Sequence, residues 1–387
     1  MPAVKKIKQK MKLLAVMDHL GGGGAEKQFL ELVKRLDKNI FDVEVFLTEG
    51  AGKRMEEALR CGLKVNCPNI EEDQFNKDKP AKRNTLRALP ALISRIKEFG
   101  PDVVMAWLSY SITLTAAAAA LTGQRRLVFS ERNSMEMLFN EEVRFGGIKK
   151  FIFKKAFHRG DLVVTNSEVV AREFAGLGYA PVNRLRVVRN GIDLECISHL
   201  PSKEALRKKL GMPEDGLSGI YVGKLENRKG LTYLMEALDG LDMKMKERFH
   251  FAAIGTGGME EKIRQHGKME LLGYKSNSIE YIKAADFLVL PSLYEGLPNV
   301  VLEALAVGTP VIASRVSGIP EIIEDEKDGL LVQPADAGSL GAAIARILAD
   351  KDLRARLSES GLIKINEFAM DKMVASFSEL LLETARG

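Results

Sequence analysis

The chain is poor in the residues that staple secreted proteins or hold metals. Its 387 residues include three cysteines, five histidines and one tryptophan, and aromatics make up only 6%. Cys61, Cys67 and Cys196 form no Cys-x-x-Cys pair and no regular framework. That excludes a disulfide scaffold and reads as free thiols in a reducing compartment. His19, His158, His199, His250 and His266 show neither metal-ligand nor triad-like spacing. Neither sign of charge dominates: 57 basic against 52 acidic residues give +5. That is too little to indicate nucleic acid, but it suits an anionic substrate or an anionic membrane surface. Repeats and low-complexity tracts are absent. After a basic start, the apolar run 13–17 is too short for a signal peptide. One long uncharged stretch, 103–124, is interrupted by Ser109, Tyr110, Ser111, Thr113 and Thr115 and lacks anchoring flanks. It reads as strand, Ser-rich loop and Ala-rich helix. The expectation is a soluble, cytoplasmic protein.

Two nucleotide signatures are missing as well. Gly21, Gly22, Gly23 and Gly24 run together, yet the third glycine of a dinucleotide fingerprint would fall on Glu26 or Lys27. No Gly-x4-Gly-Lys-Ser/Thr loop occurs. A nicotinamide dehydrogenase is therefore a distant reading, although so glycine-rich a loop still lets backbone N–H groups approach a phosphate. The one Asp-x-Asp, Asp350-Lys351-Asp352, has no strand leading in and reads as a helix N-cap rather than a metal motif.

What is present is alternation. Hydrophobic residues make up 46% of the chain, enough for two cored domains. Short apolar runs at 12–17, 41–48, 64–67, 103–107, 126–129, 161–165 and 184–188 alternate with helical patterns. A polar, irregular linker is expected at about 190–203, and a charged surface loop at 71–83. Runs at 217–222, 249–254, 269–272, 287–290 and 311–314 repeat the scheme. This predicts an α/β protein with two doubly wound sheets facing across a cleft. The domains are set at 1–195 and 196–368, with a last amphipathic helix in 369–387.

The stretch 284–321 organises the rest. The apolar run at 287–290 ends at Pro291-Ser292, Glu295-Gly296-Leu297-Pro298 turns, and a helix starts near Asn299. Glu295 and Glu303 stand with seven residues between them, on either side of a helix N-terminus that favours an anion. Taken alone, they could equally be a surface loop residue and a solvated helix residue. The surrounding Pro-Ser-x-x-Glu-Gly-x-Pro, Glu-Ala-x-Ala-x-Gly-x-Pro-Val and Gly-Ile-Pro-Glu pattern resembles the Glu-x7-Glu signature of glycosyltransferase family 4, the retaining GT-B enzymes.

The resemblance implies a GT-B fold: two Rossmann-like domains, with the terminal helix crossing back onto the first. It implies that Glu295 orients a donor sugar and Glu303 a ribose, with Gly296, Leu297, Pro298, Asn299 and Val300 forming the donor loop. Gly223-Lys224-Leu225 through Lys229-Gly230 is similar to the family's Gly-Arg-Leu-x3-Lys-Gly, whose cations neutralise a diphosphate. Lys229 matches, while Lys224 stands where Arg is usual, keeping charge but not the planar fork. Gly23-Gly24-Ala25-Glu26 resembles the family's opening loop. Gly255 and Gly257 belong to a further family-like loop, and Gly273-Tyr274 to one that contacts the base.

Where many members carry a His, this chain has Ser130-Glu131-Arg132-Asn133, similar to a branch that transfers N-acetylhexosamines to lipid-linked acceptors. Glu131 is a candidate proton acceptor and Arg132 a phosphate partner; a purely structural pair is the alternative.

The implied activity is retaining transfer of a hexose or N-acetylhexosamine from a nucleotide-diphosphate sugar, a uridine one by preference, to a glycan or lipid-linked glycan. Neither a metal nor another cofactor is expected, and no nucleic-acid partner. A nucleotide-sugar hydrolase or epimerase on the same fold, and a catalytically silent binding protein, are the alternatives. The segment 147–159 mixes Phe and Ile with Lys and Arg. It is read as a core helix with a solvated basic edge, with a peripheral contact to anionic lipid as the alternative.

Overall fold

The structure is a computed structural model that describes residues 10–68, 85–134, 146–242 and 249–387. The charged segment 71–83 lies outside them. Two compact units divide the chain: Met1–Arg189 with Asp371–Gly387, and Asn190–Met370.

The first unit is built on a seven-stranded sheet in the order β3-β2-β1-β4-β5-β6-β7. The strands are β1 Met11–His19, β2 Phe41–Gly50, β3 Lys64–Asn66, β4 Val103–Trp107, β5 Leu127–Glu131, β6 Leu162–Thr165 and β7 Leu185–Val187. Every pairing is parallel. Central strands covered on both faces need continuous apolar runs, not alternation, and β4 is buried throughout as Val-Val-Met-Ala-Trp. The uncharged stretch at 103–124 thus resolves into β4 and the helix Ser109–Thr122, which Gly123 ends at φ 77°. Among the described residues no helix is long and apolar enough to cross a membrane.

The terminal helix Met370–Arg386 belongs to this first unit from Asp371 onward. Met373, Phe377 and Leu381 recur every fourth residue and are buried. Phe377 stacks on Trp107 at 5.3 Å between ring centroids.

The second unit has six parallel strands in the order β10-β9-β8-β11-β12-β13. These are β8 Leu217–Val222, β9 Phe249–Ile254, β10 Glu270–Gly273, β11 Phe287–Leu290, β12 Val311–Ser314 and β13 Leu330–Val332. One expectation needs correcting. The supposed irregular linker contains the helix Leu194–Ser198, because the Asp193 carboxylate accepts the Cys196 N–H at 3.1 Å and caps it.

Both sheets reverse their winding once, between β1 and β4 and between β8 and β11. In an open parallel sheet, the crevice beyond the carboxyl ends at such a reversal is where ligands bind.

Candidate functional site

In the second unit, the loops leaving β8 and β11 meet at that reversal. Lys229 and Glu295, 66 residues apart in sequence, form an ion pair there: Lys229 Nζ donates to Glu295 Oε1. The Ser292 hydroxyl donates to the same oxygen at 2.7 Å. Both loops are also joined through backbone, since Leu293 N–H donates to the Arg228 carbonyl at 2.9 Å. Glu295 is 5% exposed, so its carboxylate is held by partners rather than left to water. Both of these donors go to the same oxygen, Oε1.

Glycine makes this approach possible. Gly230 sits at φ 69°, and a Cβ there would lie 1.8 Å from the Pro291 carbonyl oxygen. Gly255 does the same after the adjacent strand, β9. Its missing Cβ would fall 1.8 Å from the Gly223 oxygen, and its N–H donates to the Gly273 carbonyl at 2.9 Å. The turns holding Gly223, Lys224, Gly255, Gly257 and Tyr274 are thereby knitted along the carboxyl ends of β8, β9 and β10. Gly257 packs under the Leu225 backbone, and Tyr274 remains 42% exposed. Lys224 is mostly exposed, 3.9 Å from Glu226, whereas Lys229 is largely buried.

Beyond Glu295 the loop passes Gly296, Leu297 and Pro298 into the helix Asn299–Ala306. Its N-cap position is Pro298, no side chain caps it, and no carboxylate lies in the first turn. The positive end of the helix dipole is therefore not already neutralised, which suits an anion near Asn299 and Val300. Glu303, one turn further on, is buried. Tyr221 reports the charge of the site. Burial, and then the nearby Glu295, push its hydroxyl well above the usual tyrosine range, so it stays protonated and donates to the Lys224 carbonyl at 2.7 Å.

Two residues of this site were not foreseen. Ser292 is one. The other is Asn190, read only as the start of the linker expected at about 190–203. Its Nδ2 donates to the Leu297 carbonyl and to Asn299 Oδ1, both at 2.8 Å, fixing the entry to the helix. The signal for Ser292 lay inside the Pro-Ser-x-x-Glu pattern; for Asn190 the sequence offers none.

The other candidates lie in the first unit. Gly23 and Gly24 open the helix Gly24–Arg35; a Cβ on Gly23 would collide with the Glu26 carboxylate at 2.3 Å. Glu131 ends β5 and is fully buried. Oε1 accepts from the Arg132 N–H at 3.0 Å, the Asn133 N–H at 3.1 Å and Asn133 Nδ2 at 2.9 Å, and Oε2 accepts from Ser109. A carboxylate so enclosed is turned to its own loop and not to solvent. Of the two readings of this residue, the contacts favour the structural one: Glu131 organises the loop after β5. Burial raises its pKa, and these hydrogen bonds oppose the rise.

Arg132 turns away, donating to the Val188 carbonyl at 2.6 Å, with its guanidinium 4.3 Å from the Trp107 ring centre and 5.2 Å from that of Phe377. Burial pulls it down to about 9, still protonated at neutral pH. Its guanidinium is thus packed between the Trp107 and Phe377 rings rather than exposed.

Among the described residues, no group of three or more His, Cys, Asp or Glu is placed to hold a metal. Asp350 accepts the Leu353 N–H at 2.8 Å as a helix cap, as its spacing predicts. A cavity of about 780 Å³, bordered by Asp102, Arg126, Asp161 and Glu383, lies at the amino ends of β4 to β6. That is the sheet edge opposite to the one where ligands bind.

Comparison with known proteins bears on the family and the fold. The family profile described as Glycosyltransferase Family 4 matches residues 22–196, and that for glycosyl transferases group 1 matches 202–362. Over 378 residues the chain is 26% identical to the lipopolysaccharide core biosynthesis glycosyltransferase LpsE of Rhizobium meliloti, covering 94% of this chain and 97% of that protein. Several other curated relatives match over little more than half their length. D-inositol 3-phosphate glycosyltransferase of Streptomyces bingchenggensis is 28% identical over 59% of this chain and 54% of its own. Among solved structures, Anabaena HepE in complex with UDP-glucose superposes with a TM-score of 0.80 at 19% identity, covering 96% of this chain and all of that one. It shares the GT-B fold. With its two halves matched by the two profiles in turn, the chain belongs to glycosyltransferase family 4.

Proposed function

We propose that the protein is a retaining glycosyltransferase that moves a hexose or N-acetylhexosamine from a nucleotide-diphosphate sugar, a uridine one by preference, to a glycan or lipid-linked glycan. The observation that carries this reading is the Glu295 carboxylate, clamped by Lys229 and Ser292 beside an uncapped helix start at the winding reversal of the second sheet. In this reading Glu295 Oε2 accepts from a sugar hydroxyl and Glu303 accepts from the ribose. Lys224, Lys229 and the helix N-terminus take up the charge that grows on the departing diphosphate, while Gly255, Gly257 and Tyr274 border the base. Positioning and charge stabilisation are the main sources of rate in such a site. With cations and a helix dipole available for the phosphates, the reaction is proposed to need no metal. The relatives' names support glycan assembly, and the HepE complex supports UDP-glucose as a donor type.

The test is a thermal-shift panel of UDP, GDP, ADP and their sugars, with metal and with chelator, since a ligand that binds only the folded state raises the melting temperature. A shift with the uridine series alone, equal in both conditions, is expected. No shift with any nucleotide at millimolar concentration would overturn the donor site. Product anomers followed by NMR from the start of turnover test retention.

A further inference from the structure

Among the described residues, Leu108, Ser317, Glu326 and Ala335 have a positive φ without being glycine. Left-handed backbone is costly for a residue with a Cβ and persists only where its surroundings enforce it. Glu326 and Ala335 lie in exposed turns, and Leu108 leads into the helix Ser109–Thr122 of the first unit. Ser317 is different. It lies half-buried in the second unit, in the turn after β12, at φ 44°. A glycine stands beside it, yet Gly318 has φ −79°, an ordinary right-handed value. The residue that could adopt the left-handed conformation without strain comes one place too late.

The strained residue sits against Glu295. Ser317 Oγ accepts the Glu295 N–H at 3.5 Å, and the Gly318 N–H donates to the Gly296 carbonyl at 3.1 Å. One turn therefore holds two successive residues of the loop after β11. In the sheet β11 lies between β8 and β12, so this turn meets the loop from the side away from β8. The Glu295 carboxylate is clamped by Ser292 and, from the β8 side, by Lys229; its backbone is held from the β12 side. A glycine at 317 would remove the strain, but with it the hydroxyl that takes the Glu295 N–H.

We infer that Ser317 is a positioning residue of the donor site, strained so that its hydroxyl fixes the Glu295 backbone and, through it, the carboxylate that holds the donor sugar. The inference rests on the reading of Glu295 given above and extends the site to the loop after β12. A carboxylate misplaced by a fraction of an ångström loses its hydrogen bond to a sugar hydroxyl, whereas a ligand without the sugar does not register the change. Strain kept for the sake of geometry also sets stability and sugar binding against each other at this one position.

The test is calorimetric titration of UDP, UDP-glucose and UDP-N-acetylglucosamine into the wild type, Ser317→Ala and Ser317→Gly, with the melting temperature of each protein. The wild type is expected to bind at least one of the sugar nucleotides more tightly than UDP. Both variants should lose about three- to tenfold of that preference, the worth of one hydrogen bond, with the affinity for UDP itself unchanged. Ser317→Gly should nevertheless melt above Ser317→Ala, because it sheds the strain that alanine retains. A role confined to the fold would move the melting temperatures and leave the preference intact. A preference kept by both variants, a loss matched by an equal loss for UDP, or a wild type that binds UDP but prefers neither sugar nucleotide would each overturn this inference alone. A wild type that binds none of the three ligands overturns the donor site and this inference with it.

Discussion

At the residue scale, the Lys229–Glu295 pair is the most exacting arrangement in the second unit. Burying two charges is worthwhile only while both are present, and removing one leaves the other unpaired in a poorly solvated place. Lys229→Ala is therefore expected to cost about 3–5 kcal/mol in urea denaturation, and the double variant Lys229→Ala/Glu295→Ala to recover some of that loss. Glu295→Ala should lose stability by the same argument and, still folded in the absence of denaturant, lower turnover by roughly a hundredfold or more, the scale seen when one preorganised polar group is lost. Unchanged turnover in a folded Glu295→Ala protein would falsify the donor assignment.

Glu131 gives a pH prediction. Burial raises its folded-state pKa above its unfolded value, so folding favours the protonated form. Stability from this group is fully present below the unfolded pKa and declines as pH rises through the folded one. Glu131→Gln keeps an oxygen for the donors of the loop but cannot ionise. The difference between wild-type and variant melting temperatures should accordingly change with pH across that window and be flat outside it.

At the element scale, much of the scaffold was legible. β8, β9, β11 and β12 begin and end where their runs rich in apolar residues do, each with Gly or Pro at one end at least. β13 escaped notice: Leu330–Val332 is only three residues long, too short to show a period. Leu194–Ser198 was hidden among polar residues because its cap, Asp193, resembles any turn Asp. The chemistry was less legible. Glu295 and Lys229 could be picked out by pattern, but their contact is a product of strand order, which places β8 beside β11. The burial of Glu131 was invisible, since its enclosing donors come from its own loop and from Ser109 on another element. Gly230 carries the prediction that belongs here. Gly230→Ala forces a Cβ against the Pro291 oxygen and strains φ, so the loops after β8 and β11 must separate. A lower melting temperature together with a weaker UDP shift is expected; an unchanged UDP shift would show that the two loops do not act together.

At the scale of the whole molecule, the terminal helix matters more than its position suggests. Phe377 is fully buried, stacked on Trp107 and lying beside the Arg132 guanidinium. Phe377→Ala is expected to cost about 3–5 kcal/mol, the usual range for emptying a core aromatic site, with an added loss because Arg132 gives up one of its two ring partners. Chemical denaturation measures it.

The first unit is written in two pieces, with the second unit as one continuous insert between them. That arrangement imposes an order on synthesis. Every strand of the first sheet leaves the ribosome before any strand of the second, yet Trp107 waits for Phe377 through the whole of the intervening length. The second unit can complete its core while the first still exposes the groove reserved for its last helix, so the earlier half of the chain is the later one to finish and the one that depends on protection against association in the interval.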